Sequence, residues 1–160
     1  MNILSLQNQE IYHGQEMLKD VLITPLNIIN VEGGNVLHCM KAFEGGFSGF
    51  GEAYFSEINH NSIKAWKRHK EMTLNLIVPI GAIRFVLYDD RQGVNHKFQE
   101  VTISRDNYCR LTVPPMIWIG FQGVSNSTSM LLNIANIKHN PKEADIRDMK
   151  DIEFDWEEVN

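Results

Sequence analysis

The sequence predicts an all-β protein built as a sandwich or barrel. Short runs of β-branched and aromatic residues alternate with turn residues, and segments with a helical period are scarce. The chain has 160 residues, of which 43% are apolar, so it has the length of one domain and enough apolar side chains for a core. We therefore expect a single domain over residues 1–160.

Nine strands are predicted, each ending where turn-forming residues interrupt an apolar run. They are Ile23–Val31, Glu52–Ile58, Ser62–Lys67, Thr73–Pro79, Ala82–Tyr88, Gln99–Ser104, Arg110–Val113, Ile117–Gln122 and Ser129–Asn136. A Pro-x-Gly turn at Pro79–Gly81 joins the fourth strand to the fifth. After Pro141 the spacing becomes loosely helical, which predicts a short C-terminal helix or tail packed through Ile146 and Met149.

Composition excludes several classes of function. Fifteen Lys and Arg against twenty Asp and Glu give a net charge of -5, so no overall basic surface for nucleic acid is expected. No apolar run is long enough for a membrane span, and no secretory leader is recognisable. Cys39 and Cys109 lack the spacing of a zinc site or a disulfide framework. These observations predict a cytoplasmic protein with free thiols and no membrane partner.

The strongest chemical signal is a cationic strand, with five basic or imidazole residues among positions 64–70. In a regular strand Lys67 and His69 share one face, whereas Lys64 and Trp66 lie on the other. Desolvation and like-charge repulsion on a partly buried face would lower the basicity of Lys67 or His69, so that either could accept a proton near neutral pH. A solvated edge strand protected by its charges is the alternative interpretation.

Two further charged positions lie on or after the apolar strand Ala82–Tyr88. Arg84 interrupts the apolar run, and a buried arginine needs an anionic partner. That partner is either a ligand phosphate or carboxylate, or a carboxylate of the chain such as Glu52 or Glu57. Asp89 ends the strand, where it serves either a ligand site or a β-turn.

Three motifs occur in an order that resembles a known family. The first combines Ile63–Lys70, the turn Val78–Gly81 and the pair Asp89-Asp90. The second is the Pro-Pro-x-x-Trp segment within Leu111–Trp118, and the third is the Ile-Arg-Asp element in Asp145–Asp148. Together they are similar to the sugar-nucleotide cupins, which are the dTDP-4-dehydrorhamnose 3,5-epimerases and the dTDP-4-keto-6-deoxyglucose 3,4-ketoisomerases.

The resemblance implies a cupin jelly roll of two antiparallel sheets, a homodimer, and a barrel site for a nucleoside-diphosphate sugar. It implies no metal and no cofactor. The residues agree on the metal, because a metal-binding cupin needs two histidines and a glutamate in its first motif and a further histidine in its second. Here the first motif offers only His69, and Ile119 follows Trp118 where the second-motif histidine is expected.

Catalytic positions carry over from the family only in part. The second histidine of the ketoisomerase His-x-His pair falls on His69, and the first falls on Lys67, where the epimerases place their general base. The late-strand tyrosine that acts as acid in the epimerases corresponds to Asn133. Ile119 stands where the family has another histidine, and Asp89 matches an acidic residue at the end of the corresponding strand.

Three functional hypotheses follow. In the first, the protein is an epimerase or ketoisomerase of sugars for surface polysaccharides such as lipopolysaccharide. His69 or Lys67 removes a proton beside the ketone, while Lys67, Lys64 or Arg84 stabilises the enolate. In the second, the cavity binds a sugar nucleotide without turnover, through Arg84, the lysines and aromatic residues such as Trp66 and Tyr54. In the third, the barrel is a structural or interaction module.

Overall fold

A computed structural model describes residues 17–157. Twelve strands are present within them: β1 (Leu22–Pro25), β2 (Ile28–Ile29), β3 (Val36–Leu37), β4 (Glu52–Ile58), β5 (Ile63–His69), β6 (Leu74–Ile80), β7 (Ala82–Asp89), β8 (Lys97–Ser104), β9 (Cys109–Val113), β10 (Trp118–Gly123), β11 (Ser129–Ala135) and β12 (Ala144–Ile146). Two single-turn 3-10 helices occupy Pro141–Glu143 and Met149–Asp151.

The strands form two five-stranded antiparallel sheets that face each other. The first sheet has the order β1-β9-β6-β11-β4 and the second β12-β5-β10-β7-β8, while β2 and β3 form a separate hairpin. Most consecutive strands cross from one sheet to the other, as β4 and β5 do. This arrangement confirms the predicted all-β class and the cupin jelly roll.

Alternation along the strands divides the apolar residues between two clusters. On β7, Ile83, Phe85 and Leu87 point between the sheets and are fully buried in the main core. Their neighbours face the other way, where Val86 joins a second cluster on the outer side of the second sheet. That cluster also contains Trp66, Trp118 and Ile152, with Phe154 and Trp156 packed against it.

Two predicted elements differ in the structure. The strand predicted over Ile23–Val31 is divided, because the ladder of β1 stops at Pro25, which has no N–H to donate. Of the predicted C-terminal helix or tail, the structure has the tail, because β12 pairs with β5; the predicted packing through Ile146 and Met149 is wrong, since both are exposed, at 79% and 50%. Within residues 17–157 the single turns are the only helices, and neither is long enough to cross a bilayer.

The Pro-x-Gly turn joins β6 to β7 as predicted. Gly81 has a φ of +79°, a conformation that L side chains rarely adopt. A Cβ there would also lie 2.8 Å from the Cα of Ser129, whose hydroxyl caps the start of β7 by accepting from the amide of Ala82. The turn thus brings two apolar strands into opposite sheets with no room for a larger residue.

Candidate functional site

A cavity of about 370 Å³ lies between the two sheets. Its volume falls within the range of small-molecule sites. Apolar side chains make up much of the wall: Leu74, Leu76, Ile119, Phe121, Leu131 and Ile146. Six polar or charged residues also line it: Tyr54, Ser56, Lys64, Lys67, His69 and Asn133. A small number of polar groups within mostly apolar walls is the arrangement expected of a site that binds and orients a ligand.

A β-bulge in β5 changes which of its side chains face the cavity. The register against β10 shifts between Lys64 and Lys67, so that Ala65 and Trp66 together oppose a single residue, Gly120. Gly120 leaves the space that Ala65 uses, since an added Cβ would meet the Ala65 Cβ at 2.8 Å. The bulge therefore returns Lys64 to the same face as Lys67, which corrects the sequence prediction that the two lie on opposite faces.

His69 lines the same cavity as Lys67, as predicted, and is hydrogen-bonded to a buried carboxylate. Its Nδ1 lies 2.6 Å from Oε2 of Glu143, and both side chains are almost fully buried. The second oxygen of Glu143, Oε1, accepts from the backbone N–H groups of Glu71 and Met72, each at 2.8 Å. The carboxylate is thus fixed by three hydrogen bonds.

These surroundings set the protonation of the pair. Burial lowers the pKa of His69 below 6.5, with the hydrogen bond to Glu143 opposing it and the charge of Lys67 adding to it. Burial raises the pKa of Glu143, but the hydrogen bonds from His69 and the two backbone amides outweigh it and leave that pKa lowered. At neutral pH the pair is a carboxylate and a neutral imidazole. Since the carboxylate accepts from Nδ1–H, the lone pair lies on Nε2.

Tyr54 and Asn133 form a polar pair on the opposite wall, in the first sheet. They are direct cross-strand partners on β4 and β11, and Nδ2 of Asn133 donates to the phenol oxygen of Tyr54 at 2.8 Å. Asn133 is 5% exposed and Tyr54 is 41% exposed. Burial raises the pKa of Tyr54 above its usual 10, with the Asn133 hydrogen bond opposing the shift. The phenol is therefore neutral around pH 7.

The two cavity lysines differ in their contacts. Lys64 donates to the carbonyl oxygen of Glu57 at 2.8 Å, and its Nζ lies 5.9 Å from the centroid of the Phe121 ring. Lys67 is partly buried and has no ion-pair partner within residues 17–157. An unpaired ammonium beside apolar walls favours a ligand that brings negative charge or a polarised oxygen.

Two predicted ligand-binding residues have their side chains on the outer side of the second sheet. Arg84 points to the outer side of the second sheet, where it pairs with Glu100 at 2.6 Å and its guanidinium lies 5.4 Å from the Phe154 ring centroid. The intramolecular-carboxylate interpretation is thus correct, although the partner is neither Glu52 nor Glu57. Trp66 is among the residues that line the cavity, but its indole packs in the outer cluster, is 1% exposed and donates to the Met149 carbonyl at 3.3 Å, so its ring is not available for stacking on a sugar.

Asp89 also serves a structural role. Its Oδ2 pairs with the Arg91 guanidinium at 2.7 Å and its Oδ1 accepts from the Arg91 backbone amide at 3.1 Å, which is an Asx-turn. Burial raises the pKa of Asp89, but the hydrogen bonds and charge of Arg91 outweigh it and lower that pKa. The side chain does not line the cavity, which contradicts its predicted ligand contact.

Sequence reasoning missed Glu143 and the hydrogen bond between Tyr54 and Asn133. Glu143 is 74 residues from His69, so no local spacing connects them. The one available signal was a turn beginning at Pro141, where Asn140 caps a single 3-10 turn that ends at the glutamate. Among the described residues no group of three or more His, Cys, Asp and Glu side chains is placed to hold a metal ion.

Comparison with solved structures identifies the family. The chain is 37% identical to a dTDP sugar isomerase from Desulfovibrio desulfuricans G20, over 88% of this chain and 95% of that chain, with a TM-score of 0.83. The protein belongs to the dTDP-sugar isomerase family. The resemblance inferred from the motifs is thereby confirmed. No established family profile matches the sequence.

Other members of the dTDP-sugar isomerase and epimerase group share the fold. A dTDP-4-dehydrorhamnose 3,5-epimerase from Elizabethkingia anophelis NUHP1 is 18% identical, covers 89% of this chain and 84% of its own, and has a TM-score of 0.73. A sugar 3,4-ketoisomerase from Thermoanaerobacterium thermosaccharolyticum, solved with TDP, is 16% identical over 84% and 92% of the two chains, with a TM-score of 0.68.

A search of curated proteins found a relative that is also named as an epimerase. It is a probable low-salt glycan biosynthesis epimerase from Haloferax volcanii, 27% identical over 84 residues. The match spans 51% of this chain and 54% of the relative. The chain thus corresponds to about half the length of that relative.

Proposed function

We propose that the protein is an epimerase or ketoisomerase of a nucleotide-linked 4-keto-6-deoxy sugar, acting in the cytoplasm in the synthesis of surface polysaccharide sugars. The observation that carries this proposal is the buried pair of His69 and Glu143 at an apolar cavity. It gives an unprotonated Nε2 at neutral pH, which is what a general base for a carbon-bound proton requires. Membership of the dTDP-sugar isomerase family supports the substrate class.

The proposed reaction begins with removal of the proton on the carbon next to the ketone. His69 Nε2 takes that proton, and the electrons of the C–H bond move to form an enolate. The negative charge then lies largely on the former ketone oxygen and needs a donor in a low-dielectric site. Lys67 supplies this donor, because it lies on the same wall two residues from His69 and has no ion-pair partner among residues 17–157.

Lys64 lies farther along the same wall and is exposed, which suits the more highly charged part of the ligand. We assign it to the diphosphate, whose oxygens it would contact as a point charge. Arg84 has no part in this proposal, since Glu100 already satisfies it on the outer face.

Binding without turnover is the second candidate. It is favoured by three positions at which the chain departs from the pattern of the sugar-nucleotide cupins. Lys67 and Ile119 stand where that family has histidines, and Asn133 stands where its epimerases have a catalytic tyrosine. A cavity with these residues would still hold a sugar nucleotide through its lysines and its apolar walls.

The decisive experiment is proton NMR in deuterated water with dTDP-4-keto-6-deoxyglucose as the substrate. We expect loss of the signal of a proton next to the ketone, at C3 or C5, and no such loss with His69→Asn. Arg84→Ala is the matched control, because it removes a cation outside the cavity and should leave exchange unchanged. Line broadening of the nucleotide signals without exchange by the wild type would instead establish the binding function.

We also propose that the protein forms a homodimer through the outer side of the first sheet. Phe55 on β4 is exposed there, and Phe43 and Phe50 are exposed on the neighbouring loop. An ion pair between Glu44 of this loop and Arg110 on β9 holds the loop against the sheet. Exposed aromatic patches of this kind commonly mark contact surfaces. Light scattering after gel filtration should give two chains per particle, and one chain per particle would refute the proposal.

A further inference from the structure

Lys67 is the cation of β5 that has no partner within residues 17–157. Its neighbours along the strand are satisfied, since Arg68 and Lys70 both pair with Asp145, at 2.7 and 3.3 Å. Lys64 donates to a backbone carbonyl oxygen. The described residues that line the cavity include no aspartate and no glutamate. The amino group of Lys67 is therefore left for a ligand.

The surroundings of Lys67 in the sheet are apolar. Its direct cross-strand partners are Ile119 on β10 and Ile146 on β12, and both line the cavity with it. Side chains opposite each other on neighbouring strands lie side by side on one face of the sheet. An amine between two isoleucines is partly shielded from water, which is a condition under which lysines act as nucleophiles.

A neutral imidazole shares this face with the amine. His69 lies two residues further along β5, and its Nδ1 is held by Glu143, which leaves the lone pair on Nε2. Burial and, to a smaller extent, the charge of Lys67 lower the pKa of His69, so the two groups lie within electrostatic reach of each other. A neighbouring base that takes the proton of a nucleophile is one of the ways in which proteins activate it.

We propose that Lys67 forms an iminium with the ketone of the sugar, so that a covalently bonded nitrogen, rather than the ketone oxygen, receives the electrons of the C–H bond. This inference rests on the proposed function. His69 first takes a proton from the ammonium, and Nζ then bonds to the ketone carbon. The ketone oxygen leaves as water, with both of its protons supplied by the ammonium through His69, and one proton stays on the iminium nitrogen. Because these protons only pass through His69, the reaction still starts from a neutral imidazole beside an ammonium.

The iminium makes removal of the neighbouring proton easier. When His69 takes that proton, the C–H electrons form a carbon–carbon double bond, and the electrons of the C=N bond move to the nitrogen. The product of this step is a neutral enamine, so no negative charge has to be held between the apolar walls. Return of a proton to the same carbon restores the iminium, and water then releases the ketone and the Lys67 ammonium. Return to the carbon bonded to nitrogen would leave a stable amine on the protein, so this route serves epimerisation rather than ketoisomerisation.

Reductive trapping tests the covalent bond directly. Sodium cyanoborohydride at neutral pH reduces an iminium to a stable amine but leaves ketones largely unreacted. With dTDP-4-keto-6-deoxyglucose, the wild type should gain the mass of one sugar nucleotide less one oxygen atom, and peptide mapping should place it on Lys67. Lys67→Arg keeps the charge but cannot form an iminium, so we expect no adduct. Lys70→Arg is the matched control, because Lys70 pairs with Asp145 outside the cavity, and it should be trapped as fully as the wild type.

Proton loss in deuterated water separates a covalent role of Lys67 from a role of its charge alone. Lys67→Arg should slow this loss by about 10²-fold or more, which is the effect of removing one donor from an oxyanion hole. An arginine that only had to supply positive charge would largely preserve the rate. Lys70→Arg should leave the rate unchanged.

Exchange of the ketone oxygen with isotopically labelled water is a second readout that needs no trapping, since the iminium forms only when that oxygen leaves. The wild type should accelerate this exchange above the rate without protein, and Lys67→Arg should not. Proton loss by the wild type with neither an adduct nor faster oxygen exchange would overturn the inference and leave the proposed function standing. Absence of proton loss in the wild type would overturn the proposed function, and an adduct on Lys67 would then still establish the iminium as the mode of binding.

Discussion

At the scale of single residues, the properties of the cavity depend on how Glu143 is held. Both of its oxygens are occupied, one by His69 and the other by two backbone amides. A carboxylate held in this way cannot rotate without losing charge-assisted hydrogen bonds. It therefore fixes both the orientation of the His69 ring and the nitrogen that carries the proton.

Glu143→Gln should remove most of the activity without disturbing the fold. The amide can keep its oxygen on the two backbone N–H groups and turn its NH₂ toward His69 Nδ1. The imidazole would then carry its proton on Nε2 and could not act as a base. We expect kcat for proton exchange to fall on the order of 10²–10⁴-fold, since an equivalent change in a serine protease triad costs about 10⁴-fold.

The control for this variant is Glu100→Gln, which alters a carboxylate that pairs with Arg84 outside the cavity. It should leave kcat unchanged. Undiminished exchange in Glu143→Gln would show that the tautomer of His69 is not set by this carboxylate. Equal unfolding midpoints of the two variants in urea would exclude a general loss of structure as the cause of any difference.

The pH dependence of the reaction also follows from His69. The proposed base would be active when unprotonated, and burial holds the pKa of His69 below 6.5. The acid limb of kcat/KM should therefore lie below pH 6.5, with activity constant from that limb up through neutrality. Glu143 raises the pKa of His69, while Lys67 and His139 lower it further. A measured acid limb above pH 6.5 would contradict this assignment of the base.

At the scale of elements, the short strand β12 determines whether Glu143 reaches His69. β12 has three residues and begins immediately after Glu143. Its pairing with β5 is reinforced by Arg68. The Arg68 guanidinium forms ion pairs with Asp145 at 2.7 Å and Asp90 at 3.2 Å, and it lies over the Trp118 ring. β12 thus extends the edge of the second sheet, with Asp145 held by Arg68 on the outer face and Glu143 reaching His69 on the inner face.

Arg68→Ala should loosen this attachment. We expect faster amide hydrogen exchange in residues 141–147 and a fall in kcat of roughly 10–100-fold, because small displacements of catalytic groups are costly. Arg84→Ala is the matched control, since Arg84 is equally buried on the same outer face but pairs with Glu100 on β8. Similar exchange and similar kcat in both variants would show that β12 is held by its backbone pairing alone.

The sequence predicted elements better than contacts between them. The bounds of Glu52–Ile58 were predicted correctly, because turn residues flank an uninterrupted run. β12 was missed because a three-residue strand has too little periodicity to recognise. The bulge in β5 was missed because it depends on the register against β10, which is a property of two distant segments.

At the scale of the whole molecule, the cavity and the core share the inner faces of the two sheets. Polar groups that line the cavity are not all satisfied by the protein itself. Oδ1 of Asn133 is buried without a hydrogen-bond partner, whereas both polar atoms of the Asn75 amide are hydrogen-bonded, to Gly46 and Thr112. Sites that bind ligands commonly reduce stability in this way.

This contrast predicts opposite effects of the same substitution at two buried asparagines of the first sheet. Asn133→Leu removes an unsatisfied acceptor and adds apolar surface beside Leu76 and Leu131, so the free energy of unfolding should rise by about 1 kcal/mol. Asn75→Leu leaves Thr112 and Gly46 without their partner and should lower it by about 1–3 kcal/mol.

Urea unfolding of both variants beside the wild type would measure the two effects. If both substitutions destabilise the protein by similar amounts, Asn133 contributes to the fold rather than to the ligand site.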